Sequence, residues 1–254
     1  MQNDERKYPV VAREGWPIVA VFVLSAALAT WGGFAWFGVV GWAIGAIGLV
    51  LCAWCVWFFR DPIREVPGDA GVVVSPADGV VCAVDRVPPP KDAGLSDDES
   101  RGMLRVCVFM NVFNVHVNRA PVAGRVVGVQ HTSGRFFNAS LDKASAENER
   151  LSLVLEQEDG SHVVAVQIAG LIARRIVCRA RVGDVLGRGG RYGLIRFGSR
   201  VDVHMPAGAE AMVRVGDRAI AGETVLARLA ASAAVVGEVG GDRLLRAEAE
   251  EPDA

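Results

Sequence analysis

The sequence has no charged side chain between Gly15 and Phe59, a run of about 45 residues. One helical crossing of a bilayer needs roughly 20 apolar residues, so this run is long enough for two. It divides naturally near residues 31–33, which predicts helices over about 16–30 and 38–59, with tryptophans near the expected ends. The run therefore predicts a transmembrane hairpin and argues against a cleaved signal peptide. A buried helical hairpin in a soluble protein is the alternative.

Both flanks of this run carry positive charges. They are Arg6, Lys7 and Arg13 before it and Arg60 and Arg64 after it. Both ends of a hairpin emerge on the same side of the membrane. The positive-inside rule then predicts that residues 1–15 form a cytoplasmic segment. It also places everything downstream on the cytoplasmic side of the cell (inner) membrane.

Lysine, histidine and cysteine are all scarce, with four histidines, five cysteines and a net charge of -2. A chain with so little excess charge gives no support for nucleic-acid binding. No HxH or HExxH motif is present, and the single CxxC pair, Cys52 and Cys55, lies inside the apolar run. The sequence therefore predicts no metal site and no disulfide framework.

Beyond Arg60, valine-rich runs alternate with Gly, Pro and Asp turn signals, which predicts a mostly β domain over 60–231 with few short helices. Two segments echo each other, "RVGDVLGRGGRYGLIRF" and "RVGDRAIAGETVLARL". This echo favours a compact β-sandwich or barrel with pseudo-repeats similar to lipoyl and biotinyl carrier domains. The acidic segment 232–254 is predicted to be a disordered tail.

Three residues carry the candidate chemistry, and each also has a structural interpretation. Asp78 in "SPADGVV" is a typical turn residue, His116 in "NVFNVHVNRAP" is compatible with a structural histidine, and Ser199 in "RFGSRVDVHMP" is compatible with a bend before a strand. The nucleophile elbow G-x-S-x-G is not matched, because the sequence around Ser199 leads into a strand. The three residues are compatible with a Ser/His/Asp set, whose geometry a sequence does not reveal.

The soluble part resembles the phosphatidylserine decarboxylases, in particular their shorter bacterial and archaeal-type branch. The order and spacing of several segments carry the resemblance: "FFRDPIR", "SPADGVV", "FMNVFNVHVNRAPVAG", "GRFFNASLDKASAENER", "IARRIVC" and "RYGLIRFGSRVDVHMP". The resemblance implies that Ser199 is consumed to make a covalent pyruvoyl cofactor. The chain would cut itself between Gly198 and Ser199, with His116 as the base and Asp78 as the acid that orients it. The two resulting chains, β and α, would stay associated.

The implied reaction converts phosphatidylserine to phosphatidylethanolamine and CO2 through a Schiff base between the pyruvoyl group and the serine amine. In the longer branch a second histidine, tied to decarboxylation, stands where this sequence has Phe113, so the proton donor is open between His116, His131 and water. His131, Arg200 and Phe113 are candidate substrate-binding residues. Arg60, Arg64 and Arg200 are candidates for the lipid phosphate or for the membrane surface. A homodimer is compatible with the resemblance.

Two other classes of protein compete with this interpretation. A membrane-anchored lipoyl-like adaptor would not need Asp78, His116 and Ser199 together, and a carrier would need a lysine at a hairpin tip. The only lysines are Lys7, Lys91 and Lys143, none of them in the echoed turns. A zinc peptidase would need closely spaced histidines, which the sequence does not have.

Overall fold

The structure is a computed structural model that describes residues 10–137, 147–170, 175–196 and 198–230. The predicted acidic tail 232–254 and most of the predicted N-terminal segment lie outside the described residues. Three α-helices and fourteen β-strands make up the described part, so the mostly β prediction for the domain after the hairpin is confirmed. The helices are α1 (Trp16–Phe37), α2 (Val40–Phe58) and α3 (Asp97–Ser100).

The strands are short and all pair antiparallel. They are β1 (Val72–Val74), β2 (Gly79–Arg86), β3 (Leu104–Met110), β4 (Val117–Arg119), β5 (Gly124–Thr132), β6 (Arg150–Glu156), β7 (His162–Ala169), β8 (Ile176–Cys178), β9 (Val185–Leu186), β10 (Arg191–Ile195), β11 (Ser199–Met205), β12 (Glu210–Ala211), β13 (Arg218–Ala219) and β14 (Val225–Arg228). An eight-stranded sheet in the order β13-β2-β3-β11-β7-β6-β5-β9 curls into a half-barrel. Two three-stranded sheets, β1-β14-β12 and β4-β10-β8, complete the domain.

The main hydrophobic core contains side chains from all three sheets. In the large sheet, the period-2 alternation of β3 and β11 places Val106, Val108, Val201 and Val203 in this core. Tyr192 and Ile195 contribute from β10, and Val73 and Leu226 from β1 and β14. The inner face of β11 is therefore a dry, packed surface, and Ser199 lies at its first position.

The hairpin forms as predicted, but α1 continues through Gly32 and Gly33 and the turn falls at Gly38, whose φ is +56°. The predicted break near residues 31–33 is wrong because glycine here serves close helix packing. A Cβ on Gly33 would meet the Cα of Gly41 at 3.2 Å, and one on Gly41 would meet the Phe34 nitrogen at 2.4 Å. Small residues at such contacts let two helix backbones approach each other.

Both helices are long and apolar enough to cross a membrane, and most of their surface is exposed, unlike that of a buried core helix. At the open end of the hairpin, Val19, Cys55, Phe58 and Phe59 pack with Leu194 of β10. Ala12 packs with Val115 and Val117. The hairpin and the chain before it therefore contact the β domain at β10 and at the segment before β4.

The echoed segments form the same local structure twice. In each, the aspartate of the Arg-Val-Gly-Asp turn accepts a 2.8 Å bond from the backbone N–H of the arginine, Arg181 to Asp184 and Arg214 to Asp217. The glycine φ angles are +97° and +98°. Each turn leads into an edge strand of the large sheet, β9 or β13, and then into the central strand of a small sheet, β10 or β14. The chain thus repeats one strand–turn unit at both edges of the half-barrel.

Candidate active site

Two connections cross between sheets at one corner of the domain, and this corner brings the candidate residues together. The chain leaves β3 at Met110 and enters β4 at Val117, and it leaves β10 at Ile195 and enters β11 at Ser199. Met110 pairs with Ser199 across the large sheet. The backbone N–H of Ile195 donates to the carbonyl of His116 at 3.3 Å. His116 and Ser199 therefore belong to the same corner.

Ser199 is fully buried at the start of β11, between Met110 of β3 and Ala169 of β7. Among the described residues, its hydroxyl donates only to the sulfur of Met110, at 3.9 Å, which is a weak acceptor. Gly198 precedes it with φ +64°, a left-handed conformation that favours glycine. The hydroxyl is therefore dry and weakly held, next to a peptide bond without an obstructing side chain.

His116 is buried against the end of the membrane hairpin, with its ring 4.1 Å from the ring of Phe58. Its Nδ1 lies 2.9 Å from the carbonyl of Asn114, so Nδ1 carries the hydrogen and donates it. Nε2 then carries the lone pair, and no described residue donates a hydrogen bond to this buried atom. Burial, with a smaller effect of the Arg60 charge, lowers the pKa of His116 to about 4. The imidazole is neutral at pH 7, with its basic nitrogen free.

Asp78 lies in the turn between β1 and β2, where its carboxylate is already engaged. Nη2 of Arg64 donates to Oδ1 and Oδ2 at 2.9 and 2.8 Å, and the N–H of Ala221 donates to Oδ1 at 2.8 Å. The hydrogen bonds of the described residues include none between Asp78 and His116. The carbonyl of Asn114 occupies the position on Nδ1 that an orienting carboxylate would take.

The other predicted substrate-binding residues are placed in three different surroundings. His131 lies on β5, three strands from β11, where its Nε2 is 3.1 Å from Glu149. Arg200 is buried next to Ser199 and binds both oxygens of Asp202, at 2.7 and 2.8 Å. Phe113 is exposed at the tip of the connection between β3 and β4. Of these three, only Phe113 borders the corner with an exposed side chain.

The sequence alone did not predict a set of buried polar residues that leads from β7 to Met110, the residue that pairs with Ser199. The Gln167 amide donates to Asn118 Oδ1 at 2.7 Å, and the Asn118 amide donates to Met110 Sδ at 3.8 Å. The carbonyl oxygen of Gln167 is buried and has no hydrogen-bond partner in the described part of the chain. The sequence signal is a polar residue in the interior of an apolar strand, Gln167 in "HVVAVQIA".

The charged residues of "FFRDPIR" bind the segment that follows α2 to the β domain. Asp61 is bound by Arg119 at 3.2 Å and by Arg191 at 2.5 Å. Arg64 binds Asp78, as described above. Arg60 donates at 2.9 Å to the carbonyl of Phe113. Two of the three arginines considered for the lipid phosphate, Arg64 and Arg200, are therefore committed to carboxylates within the chain.

Comparison with known proteins identifies the family of this chain. A family model described as phosphatidylserine decarboxylase matches residues 51–227. A phosphatidylserine decarboxylase proenzyme of Ruegeria pomeroyi is 51% identical over 216 residues, which are 85% of this chain and 94% of the relative. A second such proenzyme, of Paramagnetospirillum magneticum, is 50% identical over 219 residues, 86% of this chain and 87% of the relative. The chain belongs to the phosphatidylserine decarboxylase family.

Proposed function

We propose that this chain is a membrane-bound, self-processing decarboxylase that converts phosphatidylserine to phosphatidylethanolamine and CO2. The observation that carries the proposal is the corner that holds two groups: buried Ser199, preceded by Gly198 with φ +64°, and buried His116, whose Nε2 has no hydrogen-bond partner among the described residues. Membership of the family supports the same reaction, and the identity of both relatives as proenzymes supports self-processing.

The self-cleavage uses groups of this chain alone. His116 Nε2 takes the proton of Ser199 Oγ, and Oγ attacks the carbonyl carbon of Gly198, so that an ester replaces the peptide bond. Loss of the Cα proton of residue 199 then breaks the Cβ–Oγ bond and releases a chain that ends in the Gly198 carboxylate. Water converts the remaining dehydroalanine into a pyruvoyl group and ammonia. A dry hydroxyl with a weak partner is suited to the first step.

The pyruvoyl group, once formed, supplies an electron sink for loss of the substrate carboxylate. Its position would be that of Ser199, held between β3 and β7 and backed by the Met110, Asn118 and Gln167 contacts. His131 lies three strands away, so it is poorly placed to supply a proton at this position. His116 is neutral at pH 7 and its Nδ1 hydrogen is engaged by Asn114. A water bound at Nε2 of His116 is therefore the better source of the proton that replaces CO2.

Asp78 has two alternative roles in the site, which predict different effects of substitution on self-cleavage. If Asp78 orients His116 in the active proenzyme, Asp78→Asn should slow self-cleavage while Arg64→Gln should not. If Asp78 instead acts by holding Arg64 and the membrane exit in place, both variants should slow self-cleavage to a similar extent. The contacts of Asp78 with Arg64 and Ala221 support the second version.

The position of the proposed cut supports continued association of the two chains. Ser199 would begin the shorter chain as the first residue of β11, which is hydrogen-bonded to β3 on one side and to β7 on the other. All seven residues of this strand are buried. The two chains should therefore separate only on unfolding. A homodimer stays a prediction, which chemical cross-linking in detergent would test.

Two further predictions stay proposals. The basic flanks Arg13, Arg60 and Arg64 support a cytoplasmic location of the catalytic domain at the cell (inner) membrane. The matched turns at 181–184 and 214–217 support a duplicated unit of the lipoyl-domain kind, which superposition on a solved lipoyl domain would test.

The test is to reconstitute the purified protein into vesicles that contain phosphatidylserine and to follow phosphatidylethanolamine and CO2. Ser199→Ala should give an uncut chain without activity. His116→Ala should slow self-cleavage by about 10²- to 10⁴-fold, the usual effect of losing a general base. The control is His162→Ala, which changes a histidine paired with Glu99 away from the corner. A cut and active Ser199→Ala protein would contradict the proposed function.

A further inference from the structure

Phe113 lies at the tip of a tight turn, Asn111–Asn114, that connects β3 to His116. Its side chain is 64% exposed. Several polar groups of this turn are bonded within the protein. Phe113 N–H donates to Asn111 Oδ1 at 2.8 Å, and Asn111 N–H donates to Asn114 Oδ1 at 2.9 Å. Phe113 is therefore a rigidly presented aromatic ring, not the end of a loose loop.

Arg60 fixes the depth of this ring relative to the membrane hairpin. One guanidinium donates to the carbonyl of Trp57 at 2.7 Å and to the carbonyl of Phe113 at 2.9 Å. The same group lies 4.2 Å from the Trp57 ring centre. Trp57 is in the last turn of α2 and is exposed, as expected for an aromatic residue at the membrane interface. Phe113 thus lies at the level of the interface that Trp57 marks.

We propose that the Asn111–Asn114 turn inserts the Phe113 ring into the headgroup layer of the bilayer beside α2. Water becomes scarce from this layer toward the acyl chains, so an inserted segment is favoured when its backbone groups are bonded within the protein. Phe113 meets this demand, since its N–H is bonded to Asn111 and its carbonyl to Arg60. The exposed surface of Phe113 continues the exposed apolar surface of α1 and α2. We therefore expect a lipid bilayer to cover it. The turn ends two residues before His116, so the insertion brings the headgroups to the entrance of the corner.

Photo-crosslinking tests the insertion without any need for enzyme activity. The photoreactive residue benzoylphenylalanine replaces Phe113 in the full chain, reconstituted into vesicles of phosphatidylcholine and phosphatidylglycerol. The matched control replaces Asp98, whose side chain is 88% exposed in α3, at the other end of β3. The seven residues of β3 separate the two positions by roughly 20 Å. Lipid adducts at position 113 and few at position 98 are expected. Equal yields at both positions, or none at 113, would overturn the proposal.

The effect of the ring on turnover rests on the proposed function, so a second experiment uses two substrates. Long-chain phosphatidylserine is supplied in the vesicle, and a short-chain, water-soluble phosphatidylserine is supplied from solution. Phe113→Ser should lower the long-chain rate at least fivefold more than the short-chain rate, and Phe113→Leu should preserve the ratio of the two rates. Equal losses with both substrates would overturn a role in lipid access. If the unmodified protein makes no phosphatidylethanolamine but position 113 still forms lipid adducts, the proposed function fails and the insertion stands.

Discussion

The protonation of His116 is the residue-scale property that most directly controls the first chemical step. Its neutral form is the base, and burial lowers its pKa to about 4. Self-cleavage that depends on this base should therefore stay constant from pH 8 to about pH 5 and fall as the pH drops through 4. Chain made by cell-free synthesis and transferred to buffers of different pH allows the loss of full-length protein to be timed. Circular dichroism at each pH controls for acid unfolding, and half-maximal cleavage near pH 6.5 would contradict a buried base.

The amide pair behind Ser199 gives a second residue-scale prediction. Asn118→Leu leaves the Gln167 amide hydrogen buried without an acceptor, at a cost of about 1–3 kcal/mol in the free energy of unfolding. Gln167→Met leaves Asn118 Oδ1 buried without its donor, while the Asn118 amide hydrogens keep Met110 Sδ as an acceptor. The double variant removes both polar groups and should lose less stability than the sum of the single losses. Thermal unfolding in a Ser199→Ala background measures this without interference from cleavage, and strictly additive losses would show that the two amides are not coupled.

The sequence proposes Ser199 and His116 as the reacting pair, but it does not predict the partners of those residues. Ser199 and His116 come from short segments whose order matches a family. The contact between Asp78 and Ala221 joins residues 143 positions apart, and no local pattern reports such a pairing. The alternation of Arg200 with apolar neighbours suggests that its charge is exposed. In the structure its guanidinium instead donates to the carboxylate of Asp202, two residues later in the same strand. Long-range packing decides which charges stay free for a substrate.

At the scale of elements, the hairpin depends on glycines that let α1 and α2 touch. Gly41→Ala should destabilise this contact by about 1–3 kcal/mol, because the new Cβ would lie 2.4 Å from the Phe34 nitrogen in the facing helix. Gly32→Ala is the matched control, since a Cβ there meets nothing within 4 Å. Thermal unfolding in detergent should separate the two variants. Equal destabilisation by both would indicate a general effect of glycine replacement and not helix contact.

The same glycines explain why the hairpin itself is predictable and its turn is not. An uncharged run of about 45 residues has few alternatives to membrane helices. Glycine, however, marks a break in a soluble helix and a close contact in a membrane helix, and the local sequence is the same in both cases. The same holds for the strands. Valine-rich alternation predicts their positions, but their assignment to one large and two small sheets depends on the connections that pass between sheets at the Ser199 corner.

At the scale of the whole molecule, the membrane hairpin and the catalytic domain share a packed contact at His116. Phe58→Ala should remove the ring that covers this imidazole and admit water, which moves the pKa of His116 up toward its ordinary value. The pH at which self-cleavage is half-maximal should then rise, in addition to a loss of stability of about 3–5 kcal/mol. Val56→Ala, two residues earlier on the exposed side of α2, is the control and should change neither quantity appreciably. An unchanged pH profile in Phe58→Ala would show that the hairpin does not tune the base.

Consumption of Ser199 to make the cofactor changes the mass of the protein, so intact mass spectrometry of the purified protein is the decisive measurement. Two chains that separate only under denaturing conditions are expected, one ending at Gly198 and the other beginning at residue 199 with the mass of a pyruvoyl group in place of serine. A single full-length chain that nevertheless decarboxylates phosphatidylserine would rule out this origin of the cofactor, as would two chains with an unmodified serine at the new amino terminus.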